Sequence, residues 1–286
     1  MWVYHNGKFV QDRDASVGVF DSGLLHGAGL FETMRAENSR VFRLEAHVER
    51  LRRSSEMLLR PIDREKLPEE GDCWELLARN NLKTARLRLT VTAGSMHIDA
   101  EEGEPEPTVL LTAVELTPYP SEYYGEGISV TISRFKQSAA DPLVGHKTTS
   151  RLSRLLALRE AQQARCVEAL WFTTENLLAE GSISNVFIVR NGIVATPPLS
   201  TSILPGIARA AVLEIAEASG LKIQQQAINI NDLLDADEVF LTNTIMQVMP
   251  VIAVEKRTIG DGKVGPTAAG LLNDYRDLVR KECGSK

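Results

Sequence analysis

The sequence is poor in the features that mark several common protein classes. Only three cysteines occur in 286 residues, Cys73, Cys166 and Cys283, odd in number and far apart. They fit neither a disulfide framework nor a zinc-ligand spacing, and they favour a reducing compartment, the cytoplasm. The five histidines (5, 26, 47, 97 and 146) also lack metal-ligand spacing. Positive charge is not concentrated: 32 Lys and Arg stand against 38 Asp and Glu, a net charge of −6, with no basic run longer than a pair such as Arg52-Arg53. Binding to a phosphate backbone depends on clustered positive charge, so nucleic acid is not an expected partner. No apolar run approaches the roughly 20 residues that cross a bilayer, and the first residues lack a signal-peptide pattern, so no membrane association is expected. Walker loops, dinucleotide-binding glycine fingerprints and Gly-x-Ser-x-Gly elbows are missing as well.

What is present is enough apolar sequence for a large core, 43% hydrophobic residues with 24% charged, over a length that suits two domains. Residues 2–10 read as a hairpin turning at Asn6-Gly7, because Asn-Gly readily adopts the positive φ angles of a type I′ turn. A second hairpin runs from Leu30 to Ala36 and returns through Arg40. A helix is predicted over 45–59, with Val48, Leu51, Ser55 and Leu58 facing one core and Pro61 ending it. Residues 72–80 form a further helix, and 86–93 and 109–116 form strands joined by an acidic loop, Asp99 to Glu106. The stretch 119–127, broken by one proline and two glycines, is the predicted linker between a first domain (1–118) and a second (128–286). The second half reads as a strand over 128–135, a helix over about 149–165 and strands at 168–173, 184–190 and 193–196. A helix then opens at Gly206, followed by strands at 238–242 and 248–254 and a last helix over 266–282. In the 149–165 helix the visible apolar periodicity is Leu152, Leu155 and Leu156. Hairpins mixed with isolated helices indicate an α+β fold.

Several residues could carry chemistry. Lys147 lies in a loop-like approach, with Thr148, Thr149 and Ser150 each able to cap the helix that follows. A helix N-terminus and a nearby arginine would disfavour its charged form, as a nucleophilic amine requires. Taken alone, it reads more readily as an exposed lysine. Glu180 could hold a ring nitrogen protonated, or sit in a solvated turn. The Leu204-Pro205-Gly206-Ile207-Ala208 segment opens a helix whose first amides could bind phosphate, with a hydroxyl from Thr244 and a charge from Arg50. Arg86 and Arg88 share one face of a strand, where one could clamp a carboxylate or both could be solvated.

Together these segments resemble the fold-type IV pyridoxal 5′-phosphate (PLP) enzymes, the class IV aminotransferases. That family includes branched-chain and D-amino acid aminotransferases and 4-amino-4-deoxychorismate lyase. The resemblance is collinear over nearly the whole chain: His26 to Arg35, His47-Val48-Glu49-Arg50-Leu51, Lys147 with its helix, Glu180 to Phe187, Leu204 to Arg209, and Asn243-Thr244 before Val248 to Val251. It implies a two-domain, D-amino acid aminotransferase-like fold, with a small α/β domain and a large PLP-binding domain. In that reading Lys147 is catalytic, holding PLP as an imine and moving the substrate proton, while Glu180 pairs with the pyridine nitrogen. Arg50, the Ile207 and Ala208 amides and Thr244 would hold the phosphate. Arg151 falls where relatives often carry a tyrosine, and some lyases an arginine. Phe31, Thr33, Arg35, Arg88 and Met246 fall on segments that face the substrate in relatives. The resemblance further implies a homodimer acting on amino and oxo acids, with each site at the domain junction. Transfer of an amino group between an amino acid of the branched-chain or D-amino acid type and a 2-oxo acid is the expected reaction. The lyase reaction, releasing pyruvate and 4-aminobenzoate, is the alternative.

Overall fold

The structure, a computed structural model, describes residues 1–95 and 106–284. Most of the predicted acidic loop, residues 99–105, lies outside the described residues. The chain divides into two compact units that are not contiguous in sequence. The first comprises 1–117, 146–150 and 279–286, and the second comprises 118–145 and 151–278.

The first unit contains β1 (Trp2–His5), β2 (Lys8–Gln11), a short α1 (Ser22–His26), β3 (Gly29–Glu37), β4 (Arg40–Val41), α2 (Leu44–Leu58), α3 (Glu70–Arg79), β5 (Ala85–Thr92) and β6 (Val109–Glu115). Its sheet has the order β2-β1-β6-β5-β3-β4, with every pairing antiparallel. The first hairpin turns where expected, with Asn6 at φ 46° and Gly7 at φ 81°. Alternation along β3 and β5 puts Leu30, Met34, Leu87 and Leu89 on one face, where Val48 and Leu51 of α2 and Leu76 and Leu77 of α3 complete the core. The same parity places Glu32 on that inner face. Phe31, Thr33 and Arg35 lie on the other, with Arg86 and Arg88.

The second unit contains α4 (Ser121–Glu126), β7 (Ile128–Gln137), α5 (Leu152–Gln163), β8 (Glu168–Thr173), β9 (Leu178–Gly181), β10 (Asn185–Arg190), β11 (Ile193–Thr196), α6 (Ile207–Ala218), β12 (Lys222–Gln225), α7 (Ile230–Leu234), β13 (Glu238–Asn243), β14 (Gln247–Val254), β15 (Arg257–Thr258) and α8 (Pro266–Cys283). The last turn of α8 belongs to the first unit. The second sheet is mixed, with the order β12-β11-β10-β13-β14-β7-β8-β9 and β15 pairing with β14. Its core gathers Ile188, Leu241, Met246 and Met249.

Two expectations are corrected. The helix expected from about residue 149 starts at Leu152, and none of Thr148, Thr149 and Ser150 caps it. Those residues run along the first unit instead: Thr148 bridges Leu30, and the Thr149 and Ser150 hydroxyls donate to the Gly27 carbonyl at 2.7 and 3.2 Å. Non-helical chain therefore separates Lys147 from the helix start, and a helix dipole acts only close to its own first turn. In α5 the small residues Ala157 and Ala161 face the core, while Leu152 and Leu155 are exposed. The predicted linker holds the short helix α4. Among the described residues no helix is long and apolar enough to cross a membrane.

Candidate active site

In the first unit, Lys147 is pinned to the start of β3 by its own backbone. Phe31 donates its amide to the Lys147 carbonyl at 2.9 Å, and Thr149 donates to the Gly29 carbonyl at 2.8 Å. The approach is close: a Cβ on Gly29 would meet Thr149 Oγ1 and the Val91 carbonyl at 3.0 Å. The Lys147 Nζ sits 4.6 Å from the Phe31 ring centroid, and the Arg88 guanidinium lies 3.9 Å from it. Two cations around one aromatic ring make an electropositive surface with an apolar floor.

Behind β3, on the inner face, Glu32 and His47 are completely buried. Arg50 grips both Glu32 oxygens, with Nε on Oε1 at 2.8 Å and Nη2 on Oε2, while His47 Nδ1 lies 2.8 Å from Oε2. Burial pushes the Glu32 carboxyl up, but the charge of Arg50 and the hydrogen bond from His47 outweigh it and hold it at about 2. Burial, then the nearby charges of Arg50 and Lys147, push His47 down despite Glu32. A neutral imidazole donating from Nδ1 to Glu32 fits both directions. Its Nε2 is buried without a hydrogen-bond partner among the described residues.

The second unit places Glu180 at 6% exposure near the end of β9. Arg154 Nη2 donates to its Oε1 at 2.8 Å, and the Leu204 amide donates to its Oε2 at 3.0 Å. Arg151 donates to the Ser182 carbonyl, so its guanidinium serves the turn that follows Glu180. The amides of Ile207 and Ala208 open α6 behind Gly206, and no side chain caps them. Glycine is required there because a Cβ would fall 1.9 Å from Asn185 Oδ1. Asn185 in turn donates to the Leu204 carbonyl at 2.9 Å, tying the α6 approach to β10. Thr244 follows β13 in a turn held by Asn243, whose Oδ1 accepts from the Ile245 and Met246 amides at 2.9 and 2.7 Å. Nearby in sequence, Thr242 Oγ1 is buried with no hydrogen-bond partner among the described residues.

Two substrate candidates are placed differently from expectation. Met246 is fully buried within the core of the second unit, so its side chain serves packing. Arg35 is engaged by Glu37 at 2.7 Å, two positions along the same strand face. Thr33 is half-buried on the Phe31 face, and Arg88 is bonded to Thr90 Oγ1 at 3.2 Å. Arg154 and Glu168 are two functional candidates that sequence reasoning missed. Arg154 follows Arg151 by three positions, the spacing that puts two residues on one helix face. Glu168 is a lone acid opening an otherwise apolar strand.

The family model for amino-transferase class IV matches residues 29–254, most of the chain. The chain belongs to the class IV aminotransferases. Within that family, a putative branched-chain-amino-acid aminotransferase of Methanocaldococcus jannaschii is 35% identical over 98% of this chain and 97% of its own length. The aminodeoxychorismate lyase of Bacillus subtilis is 32% identical over 99% of this chain and 97% of its own. Among solved class IV structures, the branched-chain amino acid aminotransferase of Escherichia coli superposes with a TM-score of 0.87 at 26% identity, covering 100% of this chain and 96% of that one. The fold is accordingly that of the fold-type IV PLP-dependent enzymes, and the family's cofactor is PLP.

Proposed function

We propose that this chain is a PLP-dependent aminotransferase moving an amino group between a branched-chain amino acid and a 2-oxo acid. The observation that carries the reading is the pinning of Lys147 to β3, which presents its amine over the Phe31 ring beside Arg88. The residues present fit the cofactor. Among the described residues no side chain caps the α6 amides and the buried Thr242 hydroxyl has no hydrogen-bond partner, and Gly206 leaves no room for a Cβ. Uncapped amides at a helix start make an anion-binding site.

PLP, when bound, supplies a carbonyl carbon for amines and a ring that withdraws electrons. Lys147 would provide the amine that holds it, and the same Nζ would take up the proton that leaves the substrate Cα. Glu180 is oriented by Arg154 and the Leu204 amide, and it would accept a hydrogen bond from the cofactor's ring nitrogen. The Ile207 and Ala208 amides, the Thr244 hydroxyl and Arg50 would hold the phosphate. Glu32 and His47 fix the plane of the Arg50 guanidinium. Arg88 binds a substrate carboxylate, and Phe31 presents its ring to the substrate side chain. Thr33 shares that face, and Arg35 serves through Glu37. Arg151 steadies the turn after Glu180.

We propose further that the enzyme is a cytoplasmic homodimer with small domain 1–118, linker 119–127 and large domain 128–286. Three buried free thiols suit a reducing compartment. Exposed Val19, Phe20, Leu24 and Leu25 on the first unit, and Leu152 and Leu155 on the second, suit burial against a second copy. Arg151 favours the second reading, aminodeoxychorismate lyase, because some lyases of the family carry an arginine there. A single turnover decides. PLP-loaded protein mixed with leucine or valine should release the matching 2-oxo acid in stoichiometric amount. Pyruvate and 4-aminobenzoate from aminodeoxychorismate, with no oxo acid from the amino donors, would replace transfer with the lyase reaction.

A further inference from the structure

Glu168, the first residue of β8, is a completely buried carboxylate with no cation among its hydrogen-bond and ion-pair partners in the described residues. Its charge is met by neutral donors. Oε1 accepts from the Ala169 amide at 2.9 Å and the Ser182 amide at 3.0 Å. Oε2 accepts from the Ile183 amide at 3.1 Å and from Ser184 Oγ at 3.0 Å. Three of these donors are backbone N–H groups that cannot reverse, so only a group with acceptors on both oxygens satisfies the arrangement. Burial pushes this carboxyl up from its ordinary value, against the four donors. An acid at such a place needs a reason beyond packing.

The donors identify the reason. Ser182, Ile183 and Ser184 form the turn that closely follows Glu180, and further polar groups of that turn are also engaged. Gly181 donates to the Ser184 carbonyl at 2.7 Å, and the Ser182 amide is shared between Glu168 and the Ala169 carbonyl, at 3.0 Å to each. The Ser182 hydroxyl accepts from Trp171 Nε1 at 3.0 Å, and the Ile183 carbonyl accepts from Asn243 Nδ2 at 3.1 Å. The Gly181 carbonyl accepts from Arg154 Nη1 at 2.8 Å, and the other terminal nitrogen of that guanidinium holds Glu180. Arg154 also lies 4.4 Å over the Trp171 ring. A shift of the turn therefore moves Gly181, then Arg154, then the Glu180 carboxylate.

We propose that Glu168 is a positioning residue for Glu180, acting through the 181–184 turn and Arg154 to aim the acid that pairs with the cofactor ring. The inference rests on the PLP-dependent reading above. It goes beyond that reading by assigning a role to a carboxylate that touches neither cofactor nor substrate.

The test compares PLP-loaded wild type with Glu168→Gln, whose amide nitrogen would face a backbone N–H. Glu238→Gln is the control: Glu238 is another buried acid that accepts two backbone amides, those of Thr267 and Ala268, at the start of α8. Three readouts are taken: the absorption spectrum of bound PLP across pH, the cofactor dissociation constant, and kcat and KM separately. Glu168→Gln should move the pH midpoint of the spectrum and lower kcat about tenfold, the size of one charge-assisted hydrogen bond lost at the ring acid, with KM little changed. Glu238→Gln should lower thermal stability and leave the spectrum in place. If Glu168→Gln does not fold, Ser184→Ala, which removes one donor and keeps the carboxylate, should show a smaller movement of the same midpoint, and an unmoved midpoint there overturns the inference. A wild-type spectrum and kcat in Glu168→Gln, with normal PLP uptake by the wild type, overturns this inference alone. A wild type that takes up no PLP overturns the reading beneath it.

Discussion

Replacing Glu32 by glutamine offers the sharpest test of the electrostatics behind β3. The carboxyl is held at about 2, against an ordinary 4.5, because Arg50 and His47 outweigh the cost of burial. At 1.36 kcal/mol per pH unit, that difference corresponds to about 3 kcal/mol of folding stability at neutral pH. Removing one partner of a buried pair costs about 3–5 kcal/mol, since it strands the other charge, and the two routes agree. Because the folded value lies below the unfolded one, the stabilisation is complete above about pH 4.5 and fades as the pH falls toward 2. Urea unfolding of wild type and Glu32→Gln at pH 7 and again at pH 3 measures both. The variant should be less stable by about 3 kcal/mol at pH 7, and the gap should narrow clearly at pH 3. A gap below about 1 kcal/mol at pH 7, or one independent of pH, would refute the buried pair as a net stabiliser.

Further outcomes follow from the same geometry. Arg50→Ala should weaken PLP retention by about ten- to a hundredfold, the worth of a charge-assisted contact, measured by fluorescence titration of the cofactor-free protein. Gly206→Ala places a methyl 1.9 Å from Asn185 Oδ1, so it should displace the α6 approach and raise the PLP dissociation constant more than it lowers thermal stability. Arg88→Leu should raise KM for dicarboxylic oxo acids by about tenfold or more, the loss of one charged hydrogen bond, and change KM for apolar donors less. Equal effects on both substrate classes would remove Arg88 from binding the side-chain carboxylate.

Much of this architecture is legible in the chain because period and turn chemistry agree locally. Alternation marks β3 and β5, Asn6-Gly7 marks the first turn, and Gly206 marks the start of α6. The family resemblance rests on collinear short motifs, and the fold it implies is the fold found. Where the reading failed, a long-range partner overrode a local preference. Thr148, Thr149 and Ser150 are good capping residues, yet Thr148 bridges Leu30 of β3 through its backbone and the Thr149 and Ser150 hydroxyls are taken by Gly27, far away in sequence. Leu152 and Leu155 look like a core stripe, but alanines fill the tight face of α5. Met246 stands beside Thr244 in sequence, and the sharp turn after Asn243 sends its side chain into the core. Glu168 has no local signature beyond one acid in an apolar strand, because most of its donors arrive from a turn that begins fourteen residues later.

One amine, on Lys147, is held to take PLP covalently, and every other role assigned to the site depends on it. Borohydride reduction of the PLP-loaded protein, followed by proteolysis and mass spectrometry, reads this directly. The expected result is a phosphopyridoxyl group on the peptide containing Lys147, in near-stoichiometric amount and missing from Lys147→Ala. An unmodified Lys147, or the group found on another lysine, would contradict it.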